Sequence, residues 1–226
     1  MLNTVMNQAM KMLANKTLKT YRSYPSSRSA LVLVDVQNEF LQADNSGWQS
    51  VAKVADGVGF KQNMSSLIKF SRAQGMHIIY VPYTDNILPV FETPAHQLMK
   101  KHIQAKGEIA QASRSTELDM SILPGATDTV VTDRTGLSAF SGSGLHQHLQ
   151  DESIEHLVFA GPLINLGLDS SVRDAVEFGY HATLITDCAA ATSKIEYDMA
   201  AKVTFPRFCQ TLLSNKDFQT EVLKPA

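Results

Sequence analysis

The chain has 226 residues, of which 44% are hydrophobic and 19% are charged, and this composition suits one compact domain with a sizeable core. Its formal net charge of −2 gives no electrostatic reason to expect a nucleic acid or a membrane surface as a partner. The two cysteines, Cys188 and Cys209, are too few for a disulfide framework and lack the spacing of metal ligands, so a cytoplasmic protein is expected.

The first 28 residues are expected to form an N-terminal helix or tail ahead of a single domain that spans residues 29–226. Apolar residues recur at helical spacing in this segment, at Leu2, Val5, Met6, Ala9, Met10 and Leu13. The preferred interpretation is an amphipathic helix that docks on the body or on a partner subunit. A frayed basic tail and a targeting peptide remain as alternatives.

Short apolar runs that are rich in β-branched residues predict strands buried on both faces, as in a parallel sheet. They lie at 30–36, 76–83, 127–133, 155–161 and 181–189, and a weaker sixth lies at 208–214. Helical patterns lie between them at 57–74, 143–151, 167–178 and 192–203, whereas 84–122 is more polar and is expected to be a surface excursion. This alternation predicts a doubly wound α/β sheet with helices on both faces.

The candidate site lies at the carboxyl ends of the strands, where open α/β sheets bind their ligands. Asp35 ends the first strand in "VDVQNEF", Arg134 follows the third in "VVTDRTG", and Gly167 follows the fourth in "AGPLINLG". A carboxyl group at the edge of an apolar core can have the shifted pKa that general acid–base catalysis needs. The alternative for Asp35 is structural, either as a turn cap or in an ion pair with Arg134.

Three segments resemble, in this order, motifs of the isochorismatase-like cysteine hydrolase family, which includes nicotinamidases and isochorismatases. They are "ALVLVDVQNEFL", "ILPGATDTVVTDRTGLSAFSGSGL" and "HLVFAGPLINLGLDSSVRDAVEFGYHATLITDCAAAT", and the likeness covers residues 29–204. The resemblance implies a three-layer α/β/α sandwich around a six-stranded parallel sheet. It also implies a small-molecule substrate and a homodimer or a larger homo-oligomer.

Cysteine-using members of that family have an Asp–Lys–Cys triad, and the resemblance assigns its members to Asp35, Arg134 and Gly167. Glycine cannot act as the nucleophile that forms a covalent acyl intermediate, so a cysteine-dependent amidohydrolase is not expected. Isochorismatases also lack the cysteine and hydrolyse a vinyl ether. By this resemblance Asp35 is the general acid, and the backbone near Gly167 holds an anion or the attacking water.

Arg134 complicates this assignment, because a guanidinium can keep Asp35 ionised or can bind a carboxylate of the ligand. Candidate pocket walls are Gln37, Phe40, Tyr83, Phe91, Leu163 and Ile164. Gln37 can instead brace the end of its strand through hydrogen bonds. The family has a cis peptide bond beside position 164, so any such bond is expected between Leu163 and Ile164.

No catalytic metal and no cofactor are expected, because the second strand is not followed by the histidines of zinc-binding relatives. Ser170 and Ser171 are expected to be helix-surface or packing residues and Cys188 a buried structural thiol, and none of them is expected to replace the nucleophile. The leading interpretation is a hydrolase that acts on a small carboxylate-bearing metabolite, at a vinyl ether or a related bond, without a covalent cysteine. The alternative is an inactive pseudoenzyme on the same fold that binds a metabolite or a partner protein.

Overall fold

The computed structural model describes residues 24–83, 93–104, 122–221 and 223–224. Its main sheet has six parallel strands in the order β4-β3-β2-β5-β6-β7, and β1 pairs with β8 in a separate two-stranded sheet. The strands are Tyr24–Pro25 (β1), Ser29–Val34 (β2), His77–Val81 (β3), Thr129–Val130 (β4), His156–Gly161 (β5), His181–Ala189 (β6), Thr211–Leu213 (β7) and Leu223–Lys224 (β8).

The two central strands, β2 and β5, are buried along their whole length, as continuous apolar runs predict. From β2 the chain proceeds to β3 and β4 on one side, and from β5 it proceeds to β6 and β7 on the other. The direction of winding therefore reverses between β2 and β5. Their carboxyl ends form the topological switch point at which sheets of this kind bind ligands.

Seven α-helices are described, and they alternate with the strands. They are Ser46–Val58 (α1), Phe60–Ala73 (α2), Pro94–Gln104 (α3), Leu145–Asp151 (α4), Asp169–Glu177 (α5), Lys194–Met199 (α6) and Asn215–Glu221 (α7). The predicted helix over 57–74 is wrong at its start, because α1 ends at Val58 and α2 begins at Phe60. Gly59 separates them with a left-handed φ of 68°. Of the described helices, none combines the length and apolarity needed to cross a bilayer.

Part of the predicted surface excursion is helical, since α3 lies inside 84–122, while residues 84–92 and 105–121 lie outside the described part of the chain. The edge strand β4 is shorter than the predicted 127–133, and β7 is shorter than 208–214. Edge strands have only one neighbour to bond to, so a run of apolar residues overstates their length.

Residues 1–23, with the expected amphipathic helix, lie outside the described part of the chain. The last residues of the expected tail contact the body: Tyr24 and Pro25 pair with β8. The ring of Tyr24 also stacks on His156, with 4.6 Å between the ring centroids. The described chain thus begins against the amino ends of the central strands.

A row of polar side chains crosses the sheet near those amino ends. His156 in β5 is fully buried, and its two ring nitrogens lie 3.2 Å from Ser29 Oγ in β2 and 2.8 Å from Thr183 Oγ1 in β6. Burial, reinforced by the charge of His181, lowers the pKa of His156 from 6.5 to about 3. The imidazole is therefore neutral in the folded protein at physiological pH.

Candidate functional site

Asp35 follows directly after β2, at the switch point of the sheet. Its φ is 59°, and among the described residues only Ser153 is another non-glycine with a positive φ. The backbone N–H of Asp35 still donates to Val81 O of β3 at 3.1 Å. A left-handed backbone at a buried carboxylate is a strained conformation of the type that clusters at functional sites.

The side chain of Asp35 forms an ion pair with Arg134. Arg134 Nη1 donates to Asp35 Oδ1 at 2.7 Å, and the two side chains are 0% and 1% exposed. The guanidinium also donates to Gly136 O at 2.7 Å, to Val81 O at 3.2 Å and to Leu137 O. These four hydrogen bonds are directed at Asp35 and at backbone carbonyls of the protein.

Gly167 lies in a π-helical turn, Ile164–Leu168, that leads from β5 into α5. A Cβ atom at this position would overlap Oδ2 of Asp35 and would lie 3.1 Å from Val34 Cγ1 and 3.4 Å from Arg134 Nη2. The three positions that the sequence indicates are therefore brought together. The volume that a nucleophilic side chain at 167 would need is filled by the carboxylate.

One oxygen of that carboxylate has no hydrogen-bond partner. Oδ2 of Asp35 is buried, and no donor of the described chain bonds to it. Burial raises the pKa of Asp35, while the charge and the hydrogen bond of Arg134 lower it, and burial is the larger effect. A carboxyl group in this setting can hold a proton on Oδ2 and can donate it to a bound molecule.

Ser171 fixes the turn that contains Gly167. Its hydroxyl donates to Gly167 O at 2.6 Å and accepts from Ala139 N at 2.8 Å, and the side chain is fully buried. The bond to Ala139 joins the turn to the loop that follows Arg134. The sequence indicates a helix-surface or packing role for Ser171, and its position one helical turn after Gly167 is the signal that points to this bridge.

Two of the expected pocket walls, Gln37 and Tyr83, are hydrogen-bonded to each other at the strand ends. Gln37 Nε2 donates to Tyr83 O at 3.1 Å, and Tyr83 N donates to Gln37 Oε1 at 2.9 Å. These bonds join the segments that follow β2 and β3, which is the structural alternative given for Gln37. The guanidinium carbon of Arg134 lies 5.4 Å from the centroid of the Tyr83 ring.

The remaining expected walls are buried, apart from Phe91, which lies outside the described residues. Leu163 and Ile164 lie at the start of the π-helical turn, and Ile164 N donates to Ala190 O at 2.8 Å. No peptide bond in the described part of the chain is cis. The bond between Leu163 and Ile164, where any cis bond was expected, is therefore trans. Phe40 packs against α1, where a Cβ on Gly47 would lie 3.0 Å from its ring.

Neither cysteine, Cys188 or Cys209, has an activated thiol. Cys188 is fully buried, and burial together with the charge of Asp187 raises its pKa well above the usual value for a thiol. Burial raises the pKa of Cys209 to about 12. Since the thiolate is the reactive form, both residues act as small packing groups at neutral pH. Within the described ranges, no group of three or more His, Cys, Asp or Glu side chains is arranged to hold a metal ion.

Comparison with known proteins gives a family and several relatives. Residues 29–216 match the family model of the isochorismatase domain. Ureidoacrylate amidohydrolase RutB of Yersinia enterocolitica is 28% identical over 193 residues, which cover 80% of this chain and 81% of that protein. An Arabidopsis thaliana protein named "Probable inactive nicotinamidase" is 25% identical over 169 residues, which cover 73% of this chain and 82% of that protein.

A solved structure has the same architecture. The isochorismatase family protein from Desulfovibrio vulgaris superposes with a TM-score of 0.66 at 18% sequence identity, covering 85% of this chain and 97% of that chain. This likeness concerns the fold alone. Together with the strand order, it confirms the α/β fold around a six-stranded parallel sheet that the sequence predicts.

Proposed function

Since the chain belongs to the isochorismatase family, we propose that it is a hydrolase in which Asp35 is the general acid and no cysteine nucleophile takes part. One observation carries this proposal: Oδ2 of Asp35 is buried without a hydrogen-bond partner in the described chain and faces the position of the absent side chain at 167. A carboxyl group with a raised pKa and a free oxygen is suited to give a proton to a substrate.

The substrate class is a small, carboxylate-bearing vinyl ether or a compound with a related bond. Asp35 Oδ2 gives its proton to the methylene carbon of the enol ether, which leaves positive charge on the ether carbon and its oxygen. Water adds to that carbon and loses a proton, which returns to Asp35. The resulting hemiketal then divides into a keto acid and an alcohol, so water is the only co-reactant.

Arg134 has a role in this cycle that differs from binding the substrate. When Asp35 loses its proton, the carboxylate formed lies 2.7 Å from the guanidinium, and the opposite charge stabilises it. The remaining hydrogen bonds of Arg134 to Val81, Gly136 and Leu137 hold the guanidinium in position. Arg134 therefore acts as a positioning residue and stabilises the anion.

The relatives support a hydrolase at the level of class. RutB is by name an amidohydrolase. Amide hydrolysis through a covalent intermediate is not proposed for this chain, because Gly167 has no side chain that could form an acyl intermediate.

A second candidate function rests on burial. Asp35 and Arg134 are 1% and 0% exposed, and the guanidinium is engaged by the carboxylate and three carbonyl groups. A site closed in this way favours an inactive member of the family that binds a metabolite or a partner protein. The two candidates differ in whether any substrate is turned over.

The test is a screen of the purified protein for pyruvate and proton release across carboxylated vinyl ethers and amides, with Asp35→Asn as the decisive variant. The matched control is Asp133→Asn, which removes an exposed carboxylate one residue from Arg134. Loss of turnover in Asp35→Asn but not in Asp133→Asn supports the general acid. Turnover that survives in Asp35→Asn refutes it, and binding without turnover across the panel favours the second candidate.

A further inference from the structure

A second concave region lies at the opposite edge of the sheet from Asp35. It is a cleft of about 630 Å³ at the amino ends of β5 and β6. Its walls include Ile154, Phe178, Tyr180 and His181, and Tyr24 lines it as well. Phe178 is 50% exposed, although its ring stacks on His146 with 4.3 Å between the ring centroids. The ring of Phe178 therefore offers an accessible aromatic surface at the wall of the cleft.

The first 23 residues join the described structure at Tyr24, which itself lines this cleft. Their apolar residues between Leu2 and Leu13 recur at helical spacing. A helix over those 12 residues is about 18 Å long at 1.5 Å per residue. The ten residues from Ala14 to Ser23 then connect it to the cleft, so the apolar face can reach Phe178.

Charge favours the same pairing. Residues 1–23 contain four basic side chains, Lys11, Lys16, Lys19 and Arg22, and no acidic one. Since the whole chain has a net charge of −2, the other residues carry a net charge of −6. Carboxylates lie around the cleft: Glu155 lines it, and Asp151, Glu152 and Glu177 are exposed beside its wall residues. Arg28 already pairs with Glu155, and Asp151 accepts a hydrogen bond from Gln147, so Glu152 and Glu177 are the main acidic candidates to face the basic segment.

We propose that residues 1–23 dock on their own chain as an amphipathic helix in this cleft. The apolar face covers the exposed ring of Phe178, and the basic side chains face the acidic residues around it. Apolar contact supplies most of the binding free energy, while charge sets the orientation. The interaction is intramolecular, so the ten-residue connection gives it a high effective concentration.

The test is photo-crosslinking in the full-length protein with p-benzoylphenylalanine in place of Phe178, a conservative change of one aromatic ring for a larger one. The control has the same probe in place of Ile195, which is 76% exposed. Ile195 lies in α6, the helix that follows the carboxyl end of β6, whereas the cleft lies at the amino end of that strand. An equal mixture of isotopically light and heavy protein distinguishes crosslinks within one chain from crosslinks between two chains.

The expected result is a crosslink from position 178 to residues 1–23 of the same chain, and none from position 195. Crosslinks between two chains, crosslinks from position 195 alone, or no crosslink to this segment would each overturn the proposal. The variant Glu152→Lys with Glu177→Lys keeps the test decisive if the probe disturbs folding. Hydrogen exchange of residues 2–13 should become at least tenfold faster in that variant, and unchanged exchange would count against the docking.

Discussion

The carboxylate of Asp35 occupies the volume that a side chain at position 167 would need. A Cβ on Gly167 would overlap Asp35 Oδ2, while Arg134 holds the other oxygen of the same carboxylate at 2.7 Å. Glycine is therefore required by the packing of this site, whatever reaction it performs. A nucleophilic side chain at 167 would fit only if Asp35 moved.

Replacement of Gly167 by alanine should destabilise the protein by about 1–3 kcal/mol, the usual cost of overpacking a buried site. Urea denaturation measures the free energy of unfolding. The control is Gly57→Ala in α1, where a Cβ would meet no atom within 4 Å. That change should stabilise the protein by up to about 1 kcal/mol, because alanine has the higher helix propensity.

A double-mutant cycle identifies the contact responsible for the cost at 167. Asp35→Gly removes the carboxylate and suits the φ of 59° at that position. In the Asp35→Gly background, Gly167→Ala should cost less than about 0.5 kcal/mol. Additive penalties would show that the overlap with Asp35 is not the reason for glycine at 167.

At a pH where Asp35 is ionised, replacement of Arg134 by methionine should cost about 3–5 kcal/mol, because it leaves a buried carboxylate without its ion partner. The double variant Asp35→Asn with Arg134→Met should be more stable than Arg134→Met alone, since the buried charge is removed as well. Denaturant unfolding of the three variants measures these differences. A double variant that is less stable than Arg134→Met would contradict this account of the pair.

His156 should make the protein less stable as the pH is lowered from neutral. Its pKa is about 3 when folded and 6.5 in the unfolded chain, so between these values the unfolded chain binds a proton that the folded protein excludes. The contribution of this group is complete above pH 6.5 and is lost as the pH falls toward 3, by up to about 1.4 kcal/mol per pH unit.

The variant His156→Gln tests this dependence, because glutamine can still bond to Ser29 and Thr183 but has no charge to gain. The free energy of unfolding, measured from pH 7 to pH 4, should decline less steeply in the variant than in the wild type. Parallel curves would show that His156 does not remain neutral in the folded protein over that range.

Replacement of Ser171 by alanine should cost about 1–3 kcal/mol, since it leaves the Ala139 N–H and the Gly167 carbonyl without their shared partner. Ser170→Ala is the matched control, because Ser170 is only half-buried and should change the stability by less than about 0.5 kcal/mol. Equal effects of the two substitutions would remove the bridging role of Ser171. Thermal unfolding followed by circular dichroism gives both values.

The main strands were predictable because a strand buried on both faces leaves a continuous apolar run in the sequence. The run at 30–36 covers all of β2 except Ser29, and the run at 181–189 coincides with β6. The helix break at Gly59 was not predictable in the same way. The apolar spacing continues from Val58 to Phe60, and only the left-handed backbone of Gly59 separates the two helices.

The sequence by itself determined the sheet and the three positions at its switch point, since the winding rule brings the carboxyl ends of separate strands to one edge. Only the tertiary structure decided what those residues do to one another. Asp35 and Arg134 are 99 residues apart, and the direction of their side chains depends on a left-handed backbone and on the carbonyls of a loop. Burial leaves a periodic pattern along the chain, whereas a contact between distant residues arises only when the packed strands bring them together.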